Sequence, residues 1–175
     1  MCGIAGFSGE GSLAIVKQMC DLMAYRGPDD FGSADLGRIS FGQRRLSIND
    51  LAGGHQPILN ESGRLALVCN GEIYNSPDLR RELLSKGHAF KTATDVEVIL
   101  HLYEEVGDEC VKRLRGMFAF ALWDGDRQRL LLARDHMGQK PLFYATRDGE
   151  IAFASEPKGV LVSGIVRKDI DLEAL

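Results

Sequence analysis

Long apolar runs are missing from this 175-residue chain. None approaches the roughly 20 residues that a membrane-spanning helix needs, and no charged-then-apolar leader opens the chain. Excess positive charge is missing too, because 21 Lys+Arg stand against 25 Asp+Glu for a net charge of -4. That balance gives no electrostatic footprint for nucleic acid or an anionic membrane. The expectation is a cytoplasmic protein with no nucleic-acid and no membrane partner. Cysteine is sparse, and Cys2, Cys20, Cys69 and Cys110 show neither C-x-x-C spacing nor histidines at zinc-finger spacing. Neither a disulfide framework nor a metal site is expected. No repeat, low-complexity tract or composition break divides the chain, so residues 1–163 read as one domain and 164–175 as a weakly patterned tail.

What is present begins at Met1-Cys2-Gly3. Cys2 can be read as a small residue opening a strand. It can also be read as a nucleophile carrying its own base, because removal of Met1 would leave a thiol and a free α-amine on one residue. The two groups titrate near pH 8.5 and 8, close enough for the amine to relay the thiol's proton. With Met1 attached, that amine is an amide nitrogen and cannot act as a base.

Gly3 to Ser8 reads as a buried strand. From Ser12 as cap, Leu13, Val16, Met19, Cys20 and Met23 recur at helical spacing, which makes Cys20 a core residue. Arg26-Gly27-Pro28-Asp29-Asp30 breaks that helix, and Ile39 to Gln43 resume as strand. Arg44-Arg45 is either a solvated pair or the source of a planar fork for a carboxylate. His55, in a glycine-rich loop, reads as structural or solvated.

Pro57 to Glu61 and Leu65 to Asn70 flank Ser62-Gly63 as a hairpin, the second strand apolar throughout and so buried on both sides. Asn70-Gly71 at its end is either a plain turn or a side-chain amide and a backbone N–H poised as an oxyanion hole. Ser76-Pro77 opens one helix, with Leu79, Leu83 and Leu84 on its buried side and Gly87 at its end. Thr94-Asp95-Val96-Glu97 reads as a capping box for another, with Asp95 favoured by the helix dipole and Glu97 the box partner. Two more hairpins turn at Asp124 to Arg127 and Arg147 to Gly149, and a short helix spans Ser155 to Val162. The order of elements fits an α+β layering, antiparallel sheets inside and helices outside.

Taken together, Met1-Cys2-Gly3-Ile4, Arg26-Gly27-Pro28-Asp29, Arg45-Leu46-Ser47-Ile48, Asn70 to Asn75, Thr94 to Glu97, Gly116 to Ala121, Arg134 to Leu142 and Phe153 to Glu156 resemble, in order, the class II glutamine amidotransferase domain of the asparagine synthetase family. The resemblance implies the N-terminal-nucleophile hydrolase fold, a four-layer αββα sandwich with two antiparallel sheets between helical layers. It implies hydrolysis of L-glutamine to glutamate and ammonia through a γ-glutamyl thioester on Cys2, with Asn70 and Gly71 holding the oxyanion. By position Arg45 would meet the substrate α-carboxylate, Glu72 and Asp95 its α-ammonium, and Leu46, Ser47, Ile48 and Asn49 would line the pocket. Arg26 to Asp29 and Arg134 to Leu142 are given structural parts only.

The resemblance further implies no cofactor for this domain, ATP and Mg²⁺ belonging to a synthetase domain joined in cis or in trans. No phosphate-binding motif for such a domain occurs here, and residues 164–175 would begin the linker to it. Aspartate is the family's default nitrogen acceptor, and a homodimer is among the assemblies allowed. A domain that kept Met1 would instead be a catalytically silent scaffold or regulatory module.

Overall fold

A computed structural model describes residues 1–47, 53–167 and 169. The N-terminal strand β1 (Gly3–Ser8) lies inside a five-stranded sheet of order β2-β3-β1-β9-β8, where β2 is Asp30–Asp35, β3 Ser40–Arg45, β8 Phe143–Arg147 and β9 Glu150–Ala154. The second sheet has order β4-β5-β6-β7, formed by Ile58–Leu59, Leu65–Ile73, Gly116–Asp124 and Arg129–Arg134. Every strand pairing is antiparallel.

Strand alternation sorts the apolar side chains into three layers. Ala66 and Val68 of β5 point inward with Ala121 and Trp123, and meet Ile4, Phe41 and Phe153 of the first sheet. Phe41 and Phe153 pack edge to face, ring centroids 5.4 Å apart,. Leu65, Leu67, Cys69 and Ile73 of the same strand point outward under helices α2 (Ser76–Ser85), α3 (Val98–Val106) and α4 (Cys110–Arg113). On the far side, α1 (Ser12–Asp21) and α5 (Pro157–Val162) cover the first sheet, with Val16, Met19, Cys20 and Val160 against Ala5, Phe7, Ala152 and Ala154. The result is the expected helix–sheet–sheet–helix sandwich. Among the described residues, no helix is long and apolar enough to cross a membrane.

Several elements depart from expectation. Gly11, at φ 68°, stands at the N-cap of α1, while Ser12 lies inside the helix with its hydroxyl 2.8 Å from that of Ser40. Strand β2, whose residues apart from Phe31 are small or charged, carries no alternating signal, yet pairs along β3 from Asp30↔Arg45 to Asp35↔Ser40. Strand β5 does not stop at Asn70; it runs through Gly71 and Glu72 to Ile73, in register with β6. The Thr94–Glu97 capping box does not form. Helix α3 starts at Val98, and the Glu97 carboxylate turns back to accept the backbone N–H groups of Lys91 and Thr92, both at 2.8 Å. His55 is exposed, with Nδ1 2.8 Å from Asp30 Oδ2. The Asp148-Gly149 hairpin takes positive φ at both residues, the twist a two-residue turn needs,.

Candidate active site

The layering brings the start of β1, the end of β3 and the second half of β5 to one end of the sandwich. A cavity of about 230 Å³ opens there, lined by Cys2, Arg45, Leu46, Asn70, Gly71, Glu72 and Asp95 together with Met1, Gln43, Gln56, Thr94, Met117 and Lys140. Seven of the residues singled out in the sequence therefore converge on one space. Ser47 is not among the lining residues. Its N–H donates to Asp29 Oδ2 at 2.8 Å. Ile48 and Asn49 lie outside the described residues.

Cys2 is half-buried, and its thiol faces the Leu46 carbonyl at 3.8 Å. Its own carbonyl accepts a hydrogen bond from Arg26 Nε at 3.0 Å, and Arg26 is anchored in turn by Glu156 at 2.9 Å. Gly27 lets this segment press on β3, since a Cβ there would sit 2.5 Å from the backbone of Arg44 and Arg45. Arg-Gly-Pro-Asp is thus a double staple, Arg26 holding the Cys2 backbone and Asp29 that of Ser47. Further along β1, Ile4 and Ser155, just past the end of β9, exchange two bonds: Ile4 N–H donates to Ser155 Oγ at 3.0 Å and Ser155 N–H to Ile4 O at 2.9 Å.

The other three thiols are chemically quiet. Burial pushes Cys20 and Cys110 up to about 12 and Cys69 well above its ordinary value, so all three stay protonated at neutral pH,.

Asn70 is only 2% exposed, and its amide nitrogen Nδ2 has no hydrogen-bond partner although it is buried. An orphaned donor of that kind costs about 1–3 kcal/mol unless something arrives to accept from it. The strand's backbone adds a second donor. Two residues either side of Gly71, Cys69 N–H donates to Gln56 Oε1 at 2.6 Å and Ile73 N–H to Asp95 Oδ2 at 2.6 Å, both away from β6. Backbone direction repeats every second residue in an antiparallel strand, so the Gly71 N–H points to the same edge, between those two fixed groups. Phe118, opposite Gly71, has its carbonyl and N–H engaged with Asp135 at 2.8 and 3.2 Å, in keeping with that parity. Gly71 also has no space for a side chain, because a Cβ would lie 2.3 Å from Met117 O.

Both signs of charge line the space. Arg45, 6% exposed, and Lys140 supply the cations, Asp95 and Glu72 the anions. The bond to Ile73 N–H fixes the Asp95 carboxylate beside β5. A thiol, two N–H donors and side chains of both charges on one cavity are the groups that a zwitterionic amide substrate would need,.

A family profile described as a glutamine amidotransferase domain matches residues 1–175. The chain belongs to that family.

This glutamine amidotransferase domain is 46% identical over 167 residues to asparagine synthetase (glutamine-hydrolyzing) 2 of Bacillus subtilis (strain 168), covering 91% of this chain and 22% of that protein. It is 39% identical over 182 residues to asparagine synthetase (glutamine-hydrolyzing) 3 of the same organism, covering 100% and 30%. The chain therefore spans less than a third of the length of these relatives. In three dimensions it is similar to glutamine phosphoribosylpyrophosphate amidotransferase from B. subtilis, in a structure complexed with ADP and GMP. The TM-score is 0.79 at 23% identity, over 93% of this chain and 44% of that one. A likeness at that identity establishes the shared fold.

Some residues that build the amidotransferase site carry no local mark. Gln43, buried in β3, donates through Nε2 to Cys69 O at 2.8 Å, reaching from one sheet to the other, while Gln56 accepts from Cys69 N–H. The residue before Asn70 is thus clamped on both backbone groups. Lys140 is placed by Asp135, whose carboxylate accepts N–H groups from Met137, Gln139 and Lys140 at 3.1, 2.9 and 3.1 Å. No spacing or periodicity distinguishes these glutamines, and Lys140 lay in a stretch expected to be structural.

Proposed function

We propose that the domain hydrolyses L-glutamine to glutamate and ammonia, with Cys2 as nucleophile once Met1 has been removed. The free α-amine of Cys2 takes the thiol proton as sulfur attacks the side-chain amide carbon. The resulting oxyanion is held by Asn70 Nδ2 and the Gly71 N–H, ammonia leaves with the transferred proton, and water then hydrolyses the γ-glutamyl thioester. Arg45 receives the substrate α-carboxylate, and Asp95 and Glu72 its α-ammonium. Asparagine, one methylene shorter, leaves its amide short of the thiol when the same two charges anchor it. The observation that carries this reading is the buried, unpartnered Asn70 amide on the cavity that also holds Cys2.

The ammonia is delivered to a synthetase domain in cis or in trans, with aspartate as acceptor. The names of the relatives support that destination. ATP and Mg²⁺ act in that partner, and this domain works without a cofactor in the cytoplasm, where a catalytic thiol stays reduced. Intact mass and glutamate release from glutamine, measured on the same sample beside a Cys2→Ala variant, test the proposal. Protein lacking Met1 should release glutamate, and Cys2→Ala should not. Equal rates in the two would sink the nucleophile assignment, and a mass that retains Met1 together with no turnover would favour a silent scaffold.

A further inference from the structure

The outer face of the α3 layer carries a second group of reactive side chains that the glutaminase reading does not use. His101 and Glu104 stand one turn apart on α3, which places them on one helix face,. Gly87, at φ 97°, turns the chain after α2 so that His88 lies beside them, its N–H bound to Leu83 O at 3.1 Å. Glu104 Oε2 is 3.0 Å from His101 Nδ1 and 3.2 Å from His88 Nδ1, and one ligand atom from each of the three residues falls within 4.8 Å of the others. Ligands on a tetrahedral zinc ion, at 2.0–2.1 Å from it, sit about 3.3 Å apart. Two of the three edges are already at that length.

The remaining ring nitrogens make the arrangement specific. His88 Nε2 lies 3.1 Å from Glu105 Oε1, and His101 Nε2, buried and without a hydrogen-bond partner, lies 3.8 Å from Glu97 Oε1. Each imidazole therefore has a carboxylate at both nitrogens. A neutral imidazole has one N–H, so one nitrogen of each ring would aim a lone pair at an oxygen that also has only lone pairs. That is a conflict between acceptors, on rings whose centroids lie 5.0 Å apart and with His101 only 1% exposed. A single dication among the two Nδ1 atoms and Glu104 removes it for both rings at once. His88 Nε2 then has Glu105 at 3.1 Å as the outer-shell partner that metal-bound histidines generally have, and Glu97 is the carboxylate that His101 Nε2 faces at 3.8 Å,. The third ligand is oriented as well, because Asn60 Nδ2 donates to Glu104 Oε1 at 2.7 Å and leaves Oε2 toward the histidines.

We propose that His88, His101 and Glu104 form a binding site for a divalent transition-metal ion of the zinc class, with water as the fourth ligand. The side chains of His88 and Glu104 are 14% and 26% exposed, which opens that fourth position to solvent. The donor set, two imidazoles and one carboxylate, suits zinc and its borderline neighbours better than calcium or magnesium. The spacing H-x12-H-x2-E is not a zinc-finger pattern, which is why the sequence suggested no metal. The ion would tie the His88 turn to α3. Glu97, which faces His101, also holds the N–H groups of Lys91 and Thr92, and Arg80 holds the carbonyls of Thr92 and Thr94 at 3.0 and 2.7 Å. The ion would therefore stiffen the segment that ends at the pocket residue Asp95.

Cobalt titration of untagged, chelator-treated protein tests this, read by visible absorption, metal content by mass spectrometry and Tm. The expected result is one equivalent bound, a tetrahedral band with no thiolate charge-transfer band, and a raised Tm, all of it unchanged in Cys2→Ala. His88→Asn and Glu104→Gln, at partly exposed positions, should weaken binding by about a hundredfold or more. Absence of stoichiometric binding, equal binding in these variants, a weak octahedral spectrum, or loss of binding in Cys2→Ala would each overturn the site. Should circular dichroism show the variants unfolded, nitrogen correlation spectra of the unmutated protein decide, since zinc must shift Nδ1 of both histidines and unshifted signals refute the proposal. None of these readouts needs glutamine turnover, so this inference and the glutaminase reading can fail separately.

Discussion

Arg26 Nε donates to the backbone carbonyl of Cys2 at 3.0 Å, so the residue expected to carry the chemistry is held by a side chain from a turn 24 positions away. Removing that guanidinium should both loosen the nucleophile and leave Glu156 without its arginine. Arg26→Ala is expected to lose about 1.5–3 kcal/mol of stability, as for other hydrogen bonds to charged groups, and to lose turnover as well. Arg26→Lys separates the two, because lysine can still pair with Glu156 but cannot present a planar fork to both partners. Thermal unfolding near that of the unmutated protein combined with clearly reduced kcat is the expected outcome. Unreduced kcat in Arg26→Lys would mean that the Cys2 carbonyl needs no staple.

Asn70→Ala removes a buried, unpartnered side-chain donor on the cavity and should lower kcat by about 10²–10³ with little change in KM, the pattern of a group that acts only as charge develops,. Stability should hold or rise slightly, since an unsatisfied buried amide disappears with the side chain. Steady-state kinetics and a urea denaturation curve check both halves. A change confined to KM would remove Asn70 from the oxyanion hole.

The layering of helices and antiparallel sheets could be read from local signals, whereas the four-layer fold and the site residues rested on the order of the motifs and the family they resemble. Val16, Met19, Cys20 and Met23 repeat at helical spacing, Leu65 to Cys69 form an unbroken apolar run, and Cys2 stands just before a strand, while Asn70-Gly71, expected at a strand end, lies inside β5. What escaped depends on register between distant segments. Gln43 meets Cys69 only because β3 and β5 face each other across the sandwich, and a lone glutamine in a strand announces nothing. Strand β2 is held by pairing with β3 and has too few apolar residues to alternate. At Glu97 the local pattern pointed to the wrong donor. The N–H groups of Lys91 and Thr92 sit within reach, and Thr94 N–H goes to Thr92 Oγ1 at 3.2 Å instead.

Arg45 and Asp95 are assigned to opposite charges of one substrate, so their variants should act on affinity. Arg45→Ala is expected to weaken glutamine binding by about 1.5–3 kcal/mol, roughly 10- to 100-fold. Asp95→Asn keeps an oxygen that can accept the Ile73 N–H while removing the anion, so the strand contact survives and the affinity falls. Calorimetric titration of glutamine into a Cys2→Ala background measures binding without turnover. Undiminished affinity in both variants would place the substrate elsewhere in the cavity.

Asp135 gives a pH dependence whose sign can be worked out. Burial alone would raise its pKa, but backbone N–H groups from Gln139, Lys140, Phe118 and Met137 bind the carboxylate and outweigh burial, so the folded-state value lies below the ordinary 3.8. A depressed folded pKa means that folding favours the ionised form. The associated stability is therefore fully present above about pH 4 and is lost as pH falls through the folded value. Asp135→Asn lacks that ionisation and cannot offer two oxygens to four donors. It should be less stable than the unmutated domain at pH 7, with the gap between the two narrowing below about pH 4. Urea denaturation at pH 7, 5, 4 and 3 provides the comparison. Because the same carboxylate positions the turn that brings Lys140 to the cavity, Asp135→Asn should also raise KM for glutamine at pH 7, where both proteins remain folded. A stability gap that stays constant down to pH 3 would show that the carboxylate's charge is not what holds the turn.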